Sequence, residues 1–271
     1  MAQQRLAGTD GLKGRGFSLR QLKRVAFGNR QYAGELFRDQ LASLCESNPT
    51  LFGSSGPVNV SGACPVLRNW DLHDNLDSKG AVLFRRFATR VLAGTVPTQP
   101  PQNVFTTPFD ASDPVNTPRG LNTFNPAVQQ AFADAVTDLR SAGIPLDAPL
   151  GDFQFEQRGG ERIPIHGGPG TVGVFNAINV PWVAGKGYPD VPHGSSFVMA
   201  ASLRGRCPKV RTILTYSQSE NPQSPYFADQ TRMFSHKKWV RDRFCPKQIK
   251  RDPRLRVKRF GGGARAERRG F

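Results

Sequence analysis

Residues 211–239, "RTILTYSQSENPQSPYFADQTRMFSHKKW", join a β-like apolar run to a helix-like run through a polar connection. The run Thr212–Tyr216 predicts a strand, and Ser224-Pro225 predicts the start of a helix, because proline is favoured at the first helical position. Asp229 would then lie near the N-terminal end of that helix, where the helix dipole favours a carboxylate. The polar residues between the two runs are candidates for a catalytic loop or for an ordered joint.

The composition is that of a folded, strongly basic protein. The 271 residues include 37 Lys and Arg against 21 Asp and Glu, a formal charge of +16, and the hydrophobic content of 38% is sufficient for a packed core. Much of the positive charge lies in residues 250–271, a Gly-rich segment for which we predict a disordered tail. No zinc-finger spacing and no ribonucleoprotein motif accompany the charge, so nucleic acid is not expected as a partner.

No run approaches the roughly 18 apolar residues that cross a bilayer. The first thirty residues also lack the apolar core of a signal peptide. From this sequence alone we expect neither a transmembrane segment nor an export signal.

The patterns in the first half of the chain predict helices. Residues 18–46 place apolar side chains at mostly helical spacing behind Ser18, a candidate N-cap, and predict one helix or two with a bend near Gly28 or Gly34. Ser78 is the candidate cap of a second helical segment, which we expect to end at Gly94.

A proline-rich stretch, residues 95–123, predicts a long surface loop. A further helix is predicted over Pro126–Ala142, closed by Gly143.

After this helix the apolar period changes from helical to strand-like. Two short strands are predicted around Arg158-Gly159-Gly160, which has the composition of a hairpin turn. Further strands are predicted over Val172–Phe175, Ser196–Ser202 and Val210–Tyr216. Helices followed by antiparallel strands indicate an α+β fold.

Two glycine- or serine-rich motifs invite an enzymatic interpretation. "HGGPG", His166–Gly170, could supply backbone N–H donors to an oxyanion, but the G-x-S-x-G nucleophile motif that should accompany it is absent. "HGSSF", His193–Phe197, places a histidine beside two hydroxyls, yet neighbouring strand residues point to opposite faces. We favour a structural turn in both cases, with pocket lining as the alternative for the second motif.

Two other groups of residues could bind metal. Asp71, His73, Asp74 and Asp77 in "WDLHDNLDSKG" offer hard ligands but do not match a calcium loop, so helix capping and solvated turns are favoured. The four cysteines contain no C-x-x-C pair, which argues against zinc. Two possibilities stay open for them, namely free buried thiols and the following two disulfides: Cys45 with Cys64, and Cys207 with Cys245.

Four stretches in this order resemble the penicillin acylase family of N-terminal nucleophile amidohydrolases. They are "LRNWDLHDNLDSKGAVLFRRF", "GDFQFEQRGGERIPIHGGPGTVGVFNAI", "HGSSFVMAASLRG" and the opening stretch, within a resemblance that covers residues 1–253. The run "LTYSQS…SP…ADQTR" is the most specific of these signatures. The resemblance is to the C-terminal part of the β-chain, nearest to the subgroup that acts on acylated lipopeptides and acyl-homoserine lactones.

This resemblance implies the C-terminal portion of an αββα fold and a self-cleaving precursor. In the family, the first serine of the β-chain attacks an amide carbonyl, its own α-amino group acts as base, and an asparagine side chain helps to hold the oxyanion. No residue of this sequence matches those groups, so no catalytic residue is assigned; Ser54 and Ser195 in particular are not predicted nucleophiles. No cofactor and no metal are implied.

The expected partners are an upstream α-chain, the N-terminal half of the β-chain and a small acyl amide. We expect residues 1–249 to form the acylase-like part, helical over 1–145 and mainly strands with a final helix over 146–249, followed by the tail 250–271. Exported relatives imply an extracytoplasmic or secreted location, which favours the two disulfides. The alternative functions are a non-catalytic basic binding module and an inactive remnant.

Overall fold

The computed structural model describes residues 16–92 and 103–258, and these contain seven α-helices and eleven short β-strands. The helices are α1 (Leu19–Phe27), α2 (Tyr32–Ser47), α3 (Ala63–Asn69), α4 (Ala81–Leu92), α5 (Pro126–Ser141), α6 (Asp229–Ser235) and α7 (Pro246–Lys250). The strands are β1 (Thr50–Gly53), β2 (Gly56–Asn59), β3 (Phe105–Thr107), β4 (Arg119–Leu121), β5 (Phe155–Arg158), β6 (Glu161–Pro164), β7 (Ile178–Asn179), β8 (His193–Gly194), β9 (Phe197–Ser202), β10 (Lys209–Leu214) and β11 (Val240–Asp242).

The N-terminal helical segment forms two helices with a break at Gly28, which is one of the two arrangements predicted from the sequence. Ser18 caps α1 in a capping box with Gln21, which satisfies backbone donors at the helix start. The helix ends at Gly28, and Asn29 adopts a left-handed φ of 53°, a conformation that asparagine tolerates better than most residues. The chain then re-enters a helix after Gln31, whose backbone N–H donates to the carbonyl of Leu72.

Helices α4 and α5 pack against each other at the centre of the core. Phe84, Phe87 and Phe132 are at most 1% exposed, and neighbouring rings among them meet edge to face. Asn125 caps α5 and Gly143 follows it with φ of 67°, so the prediction of this helix is confirmed.

The predicted cap of α4 is wrong. The helix begins at Ala81, three residues after Ser78, whose hydroxyl instead donates to Asp71 and accepts the N–H of Asn75. The predicted helix end at Gly94 lies outside the described residues.

The described part of the proline-rich stretch is more ordered than the sequence indicated. β3 and β4 pair in antiparallel register, with Phe105 opposite Leu121, and enclose a turn stabilised by Asp110, Asp113 and Thr117. The predicted surface loop is therefore a small hairpin over residues 105–121, whereas residues 95–102 lie outside the described residues.

The strands form small antiparallel sheets, which confirms the α+β prediction. β5 and β6 make the predicted hairpin, with Gly159 and Gly160 both at positive φ in the turn. The widest described sheet has the order β11-β10-β9, and α1 lies beside β9.

Two predicted elements are wrong in position. Val172–Phe175 is not a strand, because Gly170–Val172 forms a 3-10 turn and Gly173 follows at φ of 80°. The helix predicted to begin after Ser224-Pro225 is α6, which starts at Asp229. Asp229 does lie in its first turn, as expected for the helix dipole.

The late start of α6 has a tertiary cause. The hydroxyl of Ser217, at the end of the preceding strand segment, accepts the backbone N–H groups of Gln230 and Thr231. Residues 221–227 form turns in which Asn221 and Ser224 accept nearby backbone N–H groups. The opening stretch is consequently a strand-to-helix joint whose helix is capped from a distance.

Both predicted disulfides are present. Cys45–Cys64 connects α2 to α3, and Cys207–Cys245 connects the β9–β10 turn to the start of α7. Across residues 16–92 and 103–258, no helix has the length and apolar character that crossing a membrane requires.

Candidate functional site

Five polar residues with exposures of 2% or less meet beneath the turn that follows β6. This buried polar cluster consists of Asn29, Gln31, Asp74, His166 and Asn176. Its members come from the α1–α2 connection, the loop before α4, the "HGGPG" turn and the segment between that turn and β7, so the cluster joins the helical half of the chain to the strand half. Buried polar groups need hydrogen-bond partners, and this is where those partners are found.

His166 is the centre of the cluster. Its ring stacks on Phe234 with centroids 4.5 Å apart, and Phe27 meets its edge at 5.2 Å. Nε2 lies 2.9 Å from the Phe234 carbonyl, so Nε2 carries the proton and Nδ1 accepts from the amides of Asn29 and Asn176 at 3.0 and 3.1 Å. Burial lowers the pKa of His166 to about 3, which keeps the ring neutral at physiological pH.

Asp74 lies beside His166 in the same cluster. Both of its carboxylate oxygens accept from Nε2 of Gln31, at 3.1 and 3.2 Å, and its backbone carbonyl accepts from the N–H of Gly167. Burial raises the pKa of Asp74 from its ordinary 3.8 to about 7, against the opposing effect of the Arg85 guanidinium.

The glycines of "HGGPG" make room for these groups. A Cβ on Gly168 would lie 2.1 Å from Oδ2 of Asp74, and a Cβ on Gly167 would lie 2.5 Å from Nδ2 of Asn176. Gly167 also has φ of 109°, which disfavours any side chain there. The motif therefore packs against the cluster, as the predicted structural turn requires.

Arg85 extends the polar region into the core from α4. It is 1% exposed, donates to the side chain of Gln154 and the carbonyl of Val180, and lies 4.1 Å over the ring of Tyr188. Gln154 in turn donates to the carbonyls of Ile165 and Gly167, at 2.8 Å each. The guanidinium thus connects α4 to the segment that carries His166.

The cluster has the composition of a catalytic site but not its accessibility. A general base must reach its substrate within hydrogen-bond distance, and His166 and Asp74 are both 0% exposed. Both ring nitrogens of His166 are already hydrogen-bonded to protein groups. The arrangement is suited to holding two halves of the fold in one geometry.

The other candidate residues do not form a site with His166. His193 is exposed in β8, and the backbone of Ser195 bonds to Ala177 and Thr215. Ser54 donates to Asp134 at 2.6 Å, so its hydroxyl is engaged by a carboxylate without a histidine.

The loop before α4 binds its own backbone. Asp71 accepts from the N–H of His73 and from the hydroxyl of Ser78, as the capping-and-turn interpretation predicts. Asp77 is exposed. No group of three or more His, Cys, Asp or Glu in the described ranges is arranged to hold a metal ion.

Sequence reasoning missed the amides Asn29, Gln31, Gln154 and Asn176, which have no pattern of their own. A signal for Arg85 did exist. In "AVLFRRFATRVL" it occupies a position flanked by buried Phe84 and within one turn of Ala81 and Ala88, where a cation requires a buried partner.

Comparison with known proteins assigns the scaffold that this cluster supports. The penicillin amidase family model matches residues 1–251. Aculeacin-A acylase of Actinoplanes utahensis is 47% identical over 259 residues, which are 95% of this chain and 31% of that protein. Acyl-homoserine lactone acylase PvdQ of Pseudomonas syringae pv. syringae (strain B728a) is 35% identical over 247 residues, 89% of this chain and 30% of that protein.

A similar relation holds for the PvdQ acylase of Pseudomonas putida, 30% identical over 241 residues. The chain spans about 31% of the length of aculeacin-A acylase and 30% of the first PvdQ relative. The family match itself extends over nearly the whole of the present sequence, and the chain belongs to the penicillin amidase family.

Proposed function

We propose that this chain is the C-terminal part of an amidohydrolase that cleaves a linear amide through an acyl-enzyme. The observation that carries the proposal is the family match over residues 1–251 together with relatives named as acylases. In the proposed reaction a serine Oγ attacks the amide carbonyl and the amine leaves with a proton. Water then cleaves the ester, releasing the carboxylic acid and restoring the serine hydroxyl.

We further propose that the nucleophilic serine is supplied by a polypeptide segment other than this one. Ser54 is bound to Asp134, and the polar cluster around His166 is enclosed, so neither offers an activated nucleophile. The role proposed for the described residues is to support the reactive half of the enzyme, with the α-chain and the nucleophile-bearing half of the β-chain as partners.

The substrate class proposed is an acyl amine such as an acyl-homoserine lactone, an acylated lipopeptide or a penicillin side chain. We also propose an extracytoplasmic location, which two disulfides support because such bonds persist in oxidising compartments. The limits 1–249 for the acylase-like part and 250–271 for the tail stay predictions, and residues 259–271 lie outside the described residues.

The test uses the full chain alone and mixed with the part of aculeacin-A acylase outside the aligned region. Hydrolysis of a chromogenic acyl amide and of an acyl-homoserine lactone is measured in both samples, with the complementary part alone as control. We expect turnover only in the mixture. Turnover by the isolated chain would contradict the absence of a nucleophile, and its loss in Ser54→Ala would identify Ser54 as that nucleophile. An inactive mixture in which a complex forms would contradict the acylase assignment.

A second candidate, a non-catalytic basic binding module, is favoured by one surface feature. Arg20, Lys23, Arg24 and Lys237 line a cavity of about 480 Å³ over Trp239, with no carboxylate among its lining residues. Such a module would bind an anionic polymer with strong salt dependence. Binding to double-stranded DNA that does not weaken between low and high salt would exclude it.

A further inference from the structure

The sequence of β9 is unusual for a strand with one side open to water. In "FVMAAS", apolar residues occupy both alternating sets of positions from Phe197 to Ala201. An antiparallel strand with one solvated face normally alternates apolar and polar residues, and a continuous apolar run is typical of a strand covered on both faces. The pattern therefore predicts cover on both sides of β9.

Only one side of β9 is covered within the described residues. Val198 packs against the core and Ala200 is 5% exposed, so this set faces inward. The alternate set faces outward, with Phe197 57%, Met199 58% and Leu203, just beyond the strand, 79% exposed. We call Phe197, Met199 and Leu203 the β9 outer face.

The exposed part of this face lies at the Phe197–Met199 end of β9, since Val210, opposite Ala201 on the same face, is 4% exposed. β9 is the outer strand of the sheet in the order β11-β10-β9, with Phe197 opposite Leu214 and Met199 opposite Thr212. Exposed Arg204 follows Leu203 in the turn that leads to β10 and borders this end of the face. Large apolar side chains concentrated in one exposed strand and bordered by polar residues mark interaction surfaces.

We infer that the β9 outer face docks the polypeptide that the acylase relatives possess outside the region matched by this chain. The inference rests on the proposed function. Its support is the length of those relatives, of which the match covers 31% and 30%, combined with a strand whose sequence predicts a second covering layer. The partner surface should present apolar side chains bordered by a carboxylate that complements Arg204.

The test measures binding between the full chain and the part of aculeacin-A acylase outside the aligned region. Phe197→Ser with Met199→Ser should raise the Kd about tenfold or more, because buried aromatic side chains dominate such interfaces. The matched control is Phe124→Ser, which removes a phenylalanine that is 90% exposed just before α5. Far-UV circular dichroism and Tm establish that each variant, and the part of aculeacin-A acylase used as partner, is folded before binding is measured.

Three outcomes would overturn the inference. If the wild-type chain binds and the double variant binds equally well, the docking face is wrong while the proposed function stands. If the wild-type chain does not bind at all, the docking inference fails. If the wild-type chain forms dimers that the double variant loses, a second copy of this chain covers the face. A complex that forms through this face without hydrolysis would support the docking surface and count against the proposed function.

Discussion

Replacing Asp74 by asparagine should change how the stability of the protein depends on pH. The folded-state pKa of Asp74 is raised to about 7 from 3.8, so between these values the folded chain binds more of this proton than the unfolded chain. The stability that this group contributes is therefore fully present below pH 3.8 and is lost as the pH rises through 7. Asparagine has nearly the same shape and does not titrate.

The magnitude follows from the size of the shift. One pKa unit corresponds to about 1.4 kcal/mol, so the full effect of the shift is about 4 kcal/mol. The difference in free energy of unfolding, wild type minus Asp74→Asn, should fall by about 1.4 kcal/mol per pH unit between pH 5 and 7 and level off above pH 7.

The assay is urea denaturation of both proteins at pH 5, 6, 7 and 8. The contributions of the other titrating groups largely cancel in the difference between the two free energies of unfolding. Asp77→Asn, an exposed carboxylate in the same loop, controls for the loss of one negative charge. The attraction of the Arg85 guanidinium for the ionised carboxylate is already contained in the folded-state pKa of Asp74, so it adds no separate effect to the difference curve. A difference that is constant from pH 5 to pH 8 would refute the reasoning.

Three further predictions concern the same core. Because the pKa of His166 is lowered to about 3, its contribution to stability is present above pH 6.5 and is lost as the pH falls towards 3. His166→Gln should therefore reduce the fall in the free energy of unfolding by about 1.4 kcal/mol per pH unit over this range. Gly168→Ala should destabilise by about 2–4 kcal/mol in urea denaturation, because its Cβ would meet Asp74. Replacing Cys45 and Cys64 by serine should cost at least about 3 kcal/mol in the same assay, since the disulfide closes a loop with a sequence separation of 19.

Each of these predictions has its own check. Gly170→Ala is the matched control for the glycine, because its Cβ would come no nearer than 3.9 Å to its closest neighbour. Equal stability of the two alanine variants would contradict the close-packing argument. An unchanged acid slope in His166→Gln would mean that the ring is not buried neutral, and a serine pair as stable as the disulfide would mean that the bond does not constrain the unfolded chain.

Much of the architecture could be predicted from local patterns. Ser18 as the cap of α1, Gly143 after α5 and the paired glycines of the β5–β6 turn are local requirements of backbone geometry, and all were found. The family signatures also lie in contiguous stretches. The two wrong helix starts have a common origin, which is hydrogen bonding to residues outside the helix. The N–H of Gln230 in α6 donates to Ser217, and the hydroxyl of Ser78 donates to Asp71 and does not cap α4.

The candidate site was less predictable than the fold. "HGGPG" could be interpreted as a turn from its glycines, but the reason for Gly168 is the carboxylate of Asp74, more than ninety residues earlier in the chain. Amides such as Asn29 and Asn176 become significant only when burial removes water and leaves His166 as their partner.

The family, the α+β class and the apolar run of β9 could all be read from residue order and short-range periodicity. The packing of distant segments encloses His166 and Asp74, places Arg85 where its charge acts on Asp74, and covers one face of β9 while leaving Phe197 and Met199 exposed. The physical reason is that burial and pKa depend on which distant segments displace water, and no local pattern contains that information.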